Sequence, residues 1–267
     1  MRRTPNGRIL VKPTLGSGSD AAGWFLLDSC AAPLVLSPAM ARDLGLQLED
    51  GQGIRTLTGV LESKTAQGPE LHLGPLTLPA RSWSVLPLDS LSAEAEVELS
   101  GILGLDFFLG CRLVIPARGD HLLIEPSGPA PEGASYPVRF SGSLPCTRAR
   151  IGGEEAWLAI DTGATDSLVL GSPLVQRARL LSEATSMRSV TLSGLGGRHQ
   201  VTRAPLREGA LAGVSLRGIE ASMSRSREGV LAREEPAGLV GMRLLKLRDV
   251  ILDLGGGWWS WSEVDWN

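Results

Sequence analysis

Ala159-Ile160-Asp161-Thr162-Gly163-Ala164-Thr165-Asp166-Ser167-Leu168-Val169-Leu170 sets an aspartate on a turn of small residues between two apolar runs. A shorter copy stands earlier in the chain, at Leu26-Leu27-Asp28-Ser29-Cys30-Ala31-Ala32-Pro33-Leu34-Val35-Leu36. Each aspartate follows a tryptophan by four positions, Trp24 and Trp157. Two carboxylates delivered by two copies of one unit point to acid–base chemistry at a shared, symmetric site.

The correspondence runs further than the two turns. Asp28 and Asp161 are offset by 133 residues, Thr56-Leu57-Thr58-Gly59 and Thr191-Leu192-Ser193-Gly194 by 135. Gly101-Ile102-Leu103-Gly104 and Gly238-Leu239-Val240-Gly241 are offset by 137. Three matches in one order with slowly drifting offsets read as an internal duplication. A Pro/Gly/Ser-rich stretch separates the copies, so the expected organisation is a lobe over 1–126, a linker over 127–136 and a second lobe over 137–267.

Thirty-three Gly and 17 Pro favour many short strands over long helices. Residues 24–27 and 157–160 read as strands entering the aspartate turns. Ser37-Pro38 and Ser172-Pro173 read as helix starts, a hydroxyl cap followed by a proline in the first turn. A hairpin is expected to close each lobe. The first runs 112–115 and returns over 121–124; the second runs 250–254 and returns over 258–261 around Gly255-Gly256-Gly257.

At 267 residues with 43% hydrophobic and 21% charged residues, the chain can bury a core in each lobe. A net charge of −3 gives no footing for nucleic acid or an acidic membrane. No apolar run reaches the roughly 18–20 residues of a membrane span, and Ile9-Leu10-Val11 is too short for a signal-peptide core. The chain as given reads as cytoplasmic by default, secreted or periplasmic if a signal segment was removed. Cys30, Cys111 and Cys146 show no metal-ligand spacing and are expected as buried thiols, with a Cys111–Cys146 disulfide left open.

Asp161-Thr162-Gly163-Ala164, the related Asp28 turn and the two apolar-apolar-Gly segments, Ile102-Leu103-Gly104 and Leu239-Val240-Gly241, resemble the aspartic peptidases. The short lobes and the Ala after each turn resemble the retroviral type; their fusion in one chain resembles the pepsin-like type. The resemblance implies a mostly β, two-lobed acid-protease fold with the active-site cleft between the lobes. It implies an aspartic endopeptidase acting on a peptide or protein substrate through a water activated by Asp28 and Asp161. No metal or cofactor is needed, and a monomer with pseudo-twofold symmetry suffices. Ser29 and Thr162 take the family's turn-locking hydroxyls, and Gly163 the glycine that lets backbone N–H groups close on the carboxylate. Flap positions fall on Gly59 in the first lobe and on Gly194, Gly196 and Gly197 in the second. Cys30 departs from the pattern. If its position required a glycine-like backbone, a side chain there would cost on the order of 1–3 kcal/mol. The alternative is then a catalytically impaired, aspartic-peptidase-like peptide-binding module.

Other residues carry plainer expectations. Asp166 reads as a turn-capping or surface carboxylate, His199 as a solvated side chain and Glu234-Glu235 as a solvated pair. Trp258, Trp259 and Trp261 are expected to pack lobe against lobe.

Overall fold

The strand Trp24–Leu27 delivers Asp28, and the strand Glu154–Asp161 ends on the second aspartate. The same neighbours surround both, in a computed structural model that describes residues 1–17, 22–56, 59–133, 135–184 and 186–262. In the first lobe Leu99–Leu103 runs parallel to the aspartate strand, Val35–Leu36 runs antiparallel to that, and Arg81–Val85 runs parallel to Val35–Leu36. In the second lobe Gly238–Gly241, Leu168–Leu170 and Glu220–Met223 repeat the order and the directions. On the other flank, Ile9–Val11 and Leu144–Ile151 pair antiparallel to the aspartate strands. The fold is mostly β and two-lobed, as the resemblance implies.

Each lobe thus places an aspartate at the end of a central strand, where the chain leaves the sheet and returns two strands away. That route works only if the neighbouring strand leaves room for the turn. Gly104 and Gly241 provide it. A Cβ at Gly104 would collide with the carbonyls of Ala31 and Pro33, and one at Gly241 with the carbonyl of Asp166. The apolar-apolar-Gly segments therefore pack against the turns, as expected. Leu105 N donates to Ala31 O at 2.7 Å and Met242 N to Ala164 O at 2.9 Å, which ties each turn to the helix start behind it.

Both expected helices form as short pieces, Pro38–Asp43 and Ser172–Arg177. In the first, Ser37 Oγ caps Met40 N at 3.1 Å. In the second Gly171 is the cap, and Ser172 Oγ instead donates to carbonyls of the 226–231 segment.

The lobes share a five-stranded sheet. Arg112–Ile115 of the first lobe pairs with Asp249–Asp253 of the second, which continues through Trp258–Ser262 to Tyr136–Pro137. The second closing hairpin matches the expectation. The first returns later than expected, over Leu123–Glu125. The carbonyls of Pro116, Gly119 and Asp120 accept bonds from Arg3 and the N-terminal amine, so that segment bonds to the chain start instead of to its partner strand. Asp253 pins the connection between the lobes. Burial would raise its carboxyl, but bonds from Ser127 Oγ, Gly128 N and Gly256 N, with the Arg112 guanidinium 3.5 Å away, outweigh burial and hold it below the usual range.

Trp259 and Trp261 belong to a buried cluster that contains residues of both lobes, and the three tryptophans differ in their polar partners. Trp258 donates to Gly128 O at 3.0 Å and lies under the Arg112 guanidinium. Trp259 and Trp261 bond to Thr147 and to the Leu245 carbonyl, within the second lobe, because alternate residues of a strand face opposite sides of the sheet. All three cysteines are free: Cys111 and Cys146 are buried in separate clusters, Cys30 half-buried. No helix among the described residues is long and apolar enough to cross a membrane.

Candidate active site

The two aspartate turns meet at the floor of one cleft of about 840 Å³, each built by the same local bonds. Asp161 Oδ1 accepts from Gly163 N and Ala164 N, both at 2.9 Å; Asp28 Oδ1 accepts from Cys30 N at 2.9 Å and Ala31 N at 3.0 Å. In both cases one carboxylate oxygen is held by two backbone donors of its own turn, which fixes its rotamer.

A reciprocal set of bonds joins the turns across the lobes. Thr162 Oγ1 donates to Leu27 O and accepts from Ser29 N, both at 3.0 Å. Ser29 Oγ donates to Ile160 O at 2.6 Å and accepts from Thr162 N at 3.1 Å. Both residues are 0% exposed. Neither lobe can satisfy these groups alone, so the turns are positioned by each other.

Gly163 and Cys30 occupy equivalent places with different surroundings. A Cβ on Gly163 would overlap the Asp28 carboxylate, so here glycine is required for space. Cys30 carries its side chain on ordinary backbone, outside the left-handed region, and its thiol reaches the Ile160 carbonyl at 3.4 Å. The condition under which a side chain at Cys30 would strain the turn is therefore not met: the position needs no glycine-like backbone. The thiol is pushed well up, first by burial and then by the charges of Asp161 and Asp28.

Burial raises both carboxyls. Asp161 is pushed up to about 8, first by burial and then by the charge of Asp28, against the lowering pull of its turn N–H groups and of Arg8. Asp28 is raised by burial, against the N–H groups of Cys30 and Ala31 and against Arg8. Two carboxyls influencing each other in this way titrate as one unit.

Apolar walls flank the dyad. Leu26, Val35, Leu86 and Leu91 line the first-lobe side; Ala159, Val169, Leu231 and Leu239 line the second. Over the top, Arg188–Gly194 and Gly197–Pro205 form a long hairpin whose two-residue tip is Leu195-Gly196. Gly194, Gly196 and Gly197 line the cleft, and Leu195 packs on the first lobe's apolar wall. The first-lobe counterpart is shorter, Ile54–Arg55 against Val60–Leu61. Gly59 joins it through Thr56, and Thr56 lines the cleft, but Gly59 is not among the described residues that do so. Leu57 and Thr58, which belonged to the first copy's repeat, lie outside the described residues.

Two expectations change. Asp166 is neither a turn cap nor a plain surface carboxylate: it is a half-buried partner of Arg203 and of Ser222 Oγ, on the cleft wall. His199 is half-buried, with Nε2 3.2 Å from Ser224 Oγ. Glu234 and Glu235 are solvent-exposed charges as expected, paired to Arg177 and Arg139. Sequence reasoning missed Arg8 altogether. It lies 20 residues before Asp28 in an irregular segment, and no local pattern marks it.

A family model described as aspartyl protease matches residues 14–107 and 147–244. A search of the curated proteins finds no match. Among solved structures, one titled "Crystal structure of edgp" superimposes with a TM-score of 0.50 at 11% identity, over 97% of this chain and 92% of that one; at this identity the likeness speaks to the fold alone. With most of both lobes matched by one model, and with the two turns set against each other at the cleft floor, the chain belongs to the aspartyl protease family.

Proposed function

We propose that the protein is an aspartic endopeptidase that cleaves peptide bonds with Asp28 and Asp161 as a dyad. The observation that carries this reading is the matched pair of turns. Each carboxylate is fixed through one oxygen by two N–H groups, and the two sit at the floor of one cleft with raised titration. The lobes divide across residues 127–136, and the second-lobe hairpin around Gly194, Gly196 and Gly197 serves as the main flap.

The dyad works with one proton shared between its two members. The charged carboxylate removes a proton from a water held between them, and the water oxygen bonds to the scissile carbonyl carbon. The protonated carboxyl gives its proton to the carbonyl oxygen as the tetrahedral intermediate forms. On collapse, the amide nitrogen takes a proton from one carboxyl of the dyad, a hydroxyl of the intermediate returns its proton to the other carboxylate, and the C–N bond breaks, leaving a carboxyl and an amine terminus and the dyad with one proton. Both carboxyls are raised by burial, so the pair as a unit keeps its shared proton to higher pH than a free carboxyl would. An extended peptide lies along the cleft with side chains toward the apolar walls, and a single chain supplies both half-sites.

The test is cleavage of an unfolded protein substrate between about pH 3 and 7, wild type beside Asp28→Asn and Asp161→Asn. Loss of cleavage in both variants is expected. Full retained activity in either variant overturns the dyad. A folded wild type that is silent at every pH, yet binds peptide, turns the reading to the peptide-binding module.

A further inference from the structure

Arg8 is a buried cation beside the dyad that neither the turn motifs nor the flaps account for. Its side chain is 5% exposed. Nε donates to Gly163 O at 2.7 Å, crossing from the first lobe to the second lobe's aspartate turn, and one Nη bonds Glu94 Oε2 at 2.7 Å on the helix Asp89–Ala95. Arg8 also lines the cleft.

Sheet register shows how far this departs from the symmetry of the two lobes. Leu10 pairs with Leu26, and Cys146 pairs with Ala159, each partner standing two residues before its aspartate. Arg8 and Leu144, two residues before Leu10 and Cys146, are therefore equivalents. Leu144 and Cys30 both pack against one apolar cluster, whereas Arg8 bonds to Gly163, the residue equivalent to Cys30. One turn is backed by a leucine and the other by a charge. An unpartnered buried guanidinium would be costly, and Glu94 is what makes it tenable.

We propose that Arg8 is a positioning residue of the dyad: it braces the Asp161 turn from the opposite lobe, and its charge, balanced by Glu94, sets the pH range in which the pair carries a single proton. This rests on the endopeptidase reading for its consequence in catalysis, but not for the titration itself. The ionisable groups around Arg8 are Asp28, Cys30 and Glu94 on the first-lobe side and Asp161 on the second. Farther along the cleft wall stand Asp50, Arg55, His199, Arg233 and the Asp166–Arg203 pair. Arg8 lowers both dyad carboxyls against burial. Removing it must raise both, and removing the Glu94 charge must lower both, because the cation is then less compensated.

The experiment is a carbon-13 NMR titration of the aspartate carboxyls, with pH profiles of cleavage alongside, on Arg8→Met, Arg8→Lys and Glu94→Gln. Arg8→Met is expected to move the dyad titration up by about one pH unit or more, and the acid and alkaline limbs of the cleavage profile with it. Glu94→Gln is expected to move them down by a smaller amount. Arg8→Lys keeps the charge, so its titration stays close to wild type, while kcat falls through loss of the directed bond to Gly163. Shifts of one sign in Arg8→Met and Glu94→Gln, or no shift in either, overturn the proposal. If Arg8→Met does not fold, Glu94→Gln decides: a downward shift supports the proposal, no shift or an upward one overturns it. A protein that cleaves nothing but shows the opposed shifts sinks the endopeptidase reading and leaves the role of Arg8 standing.

Discussion

Thr162→Val tests the lock between the lobes with the least change of shape, a methyl for a hydroxyl. The substitution strands the Ser29 N–H, which has Thr162 Oγ1 at 3.0 Å, and removes a donor from Leu27 O at the same distance. Both groups are buried, and stranding a buried donor or acceptor costs about 1–3 kcal/mol. The N–H weighs more, since a carbonyl has a second lone pair to use. A loss of about 3 kcal/mol is expected, which for a chain of this size lowers the melting temperature by roughly 6–12 °C. Scanning calorimetry and urea unfolding measure it directly. Thr162→Ser, which keeps the hydroxyl, should cost less than about 1 kcal/mol. Ser29→Ala should resemble Thr162→Val, because Ser29 Oγ serves Ile160 O and Thr162 N in the mirror arrangement. The double variant should fall short of the summed losses by about 0.5–3 kcal/mol, as expected of one shared network. A Thr162→Val variant within about 1 kcal/mol of wild type, or strict additivity with Ser29→Ala, would refute the claim that the lobes are positioned by these bonds.

Asp161 makes folding pH-dependent in an unusual direction for a carboxylate. Its folded carboxyl is pushed up to about 8, against about 3.9 in an unfolded chain, so between these values the folded state holds a proton that the unfolded state lacks. The stability from this group is complete below about pH 4 and is lost as pH rises to about 8. Asp161→Asn should therefore flatten stability across that window and gain most on wild type near pH 8; parallel curves would argue against burial as the cause. Gly163→Ala should disable cleavage even where the protein folds, since its methyl would displace the Asp28 carboxylate, and an active Gly163→Ala enzyme would disprove the packing argument. Cys30→Gly should change kcat/KM by less than about threefold, because ordinary backbone at Cys30 leaves no strain to relieve; a gain of tenfold or more would show that the thiol obstructs the site.

Much of the fold was legible because its signals are local. The aspartate turns, the Ser37-Pro38 helix start and the Gly255-Gly256-Gly257 hairpin each depend on a few adjacent residues. Gly104 and Gly241 were legible by repetition alone; the reason for them, the carbonyls of the turns they admit, is a contact between strands. Spacing could not show what Cys30 costs, since that depends on a backbone angle set by the whole turn. Nor could it show Asp166 with Arg203, 37 residues away, or Leu195 of the second-lobe hairpin resting on first-lobe apolar residues.

By itself, the sequence determined two lobes, a mostly β architecture and which two aspartates to watch, because repetition and local turn chemistry are written in residue order. Only the tertiary structure decided what surrounds those aspartates. Arg8 comes from 155 residues before Gly163 to touch its carbonyl, and Thr162 and Ser29 meet across 133. A carboxyl's proton affinity depends on burial and on charges a few ångströms away, and neither distance nor burial can be counted along a chain.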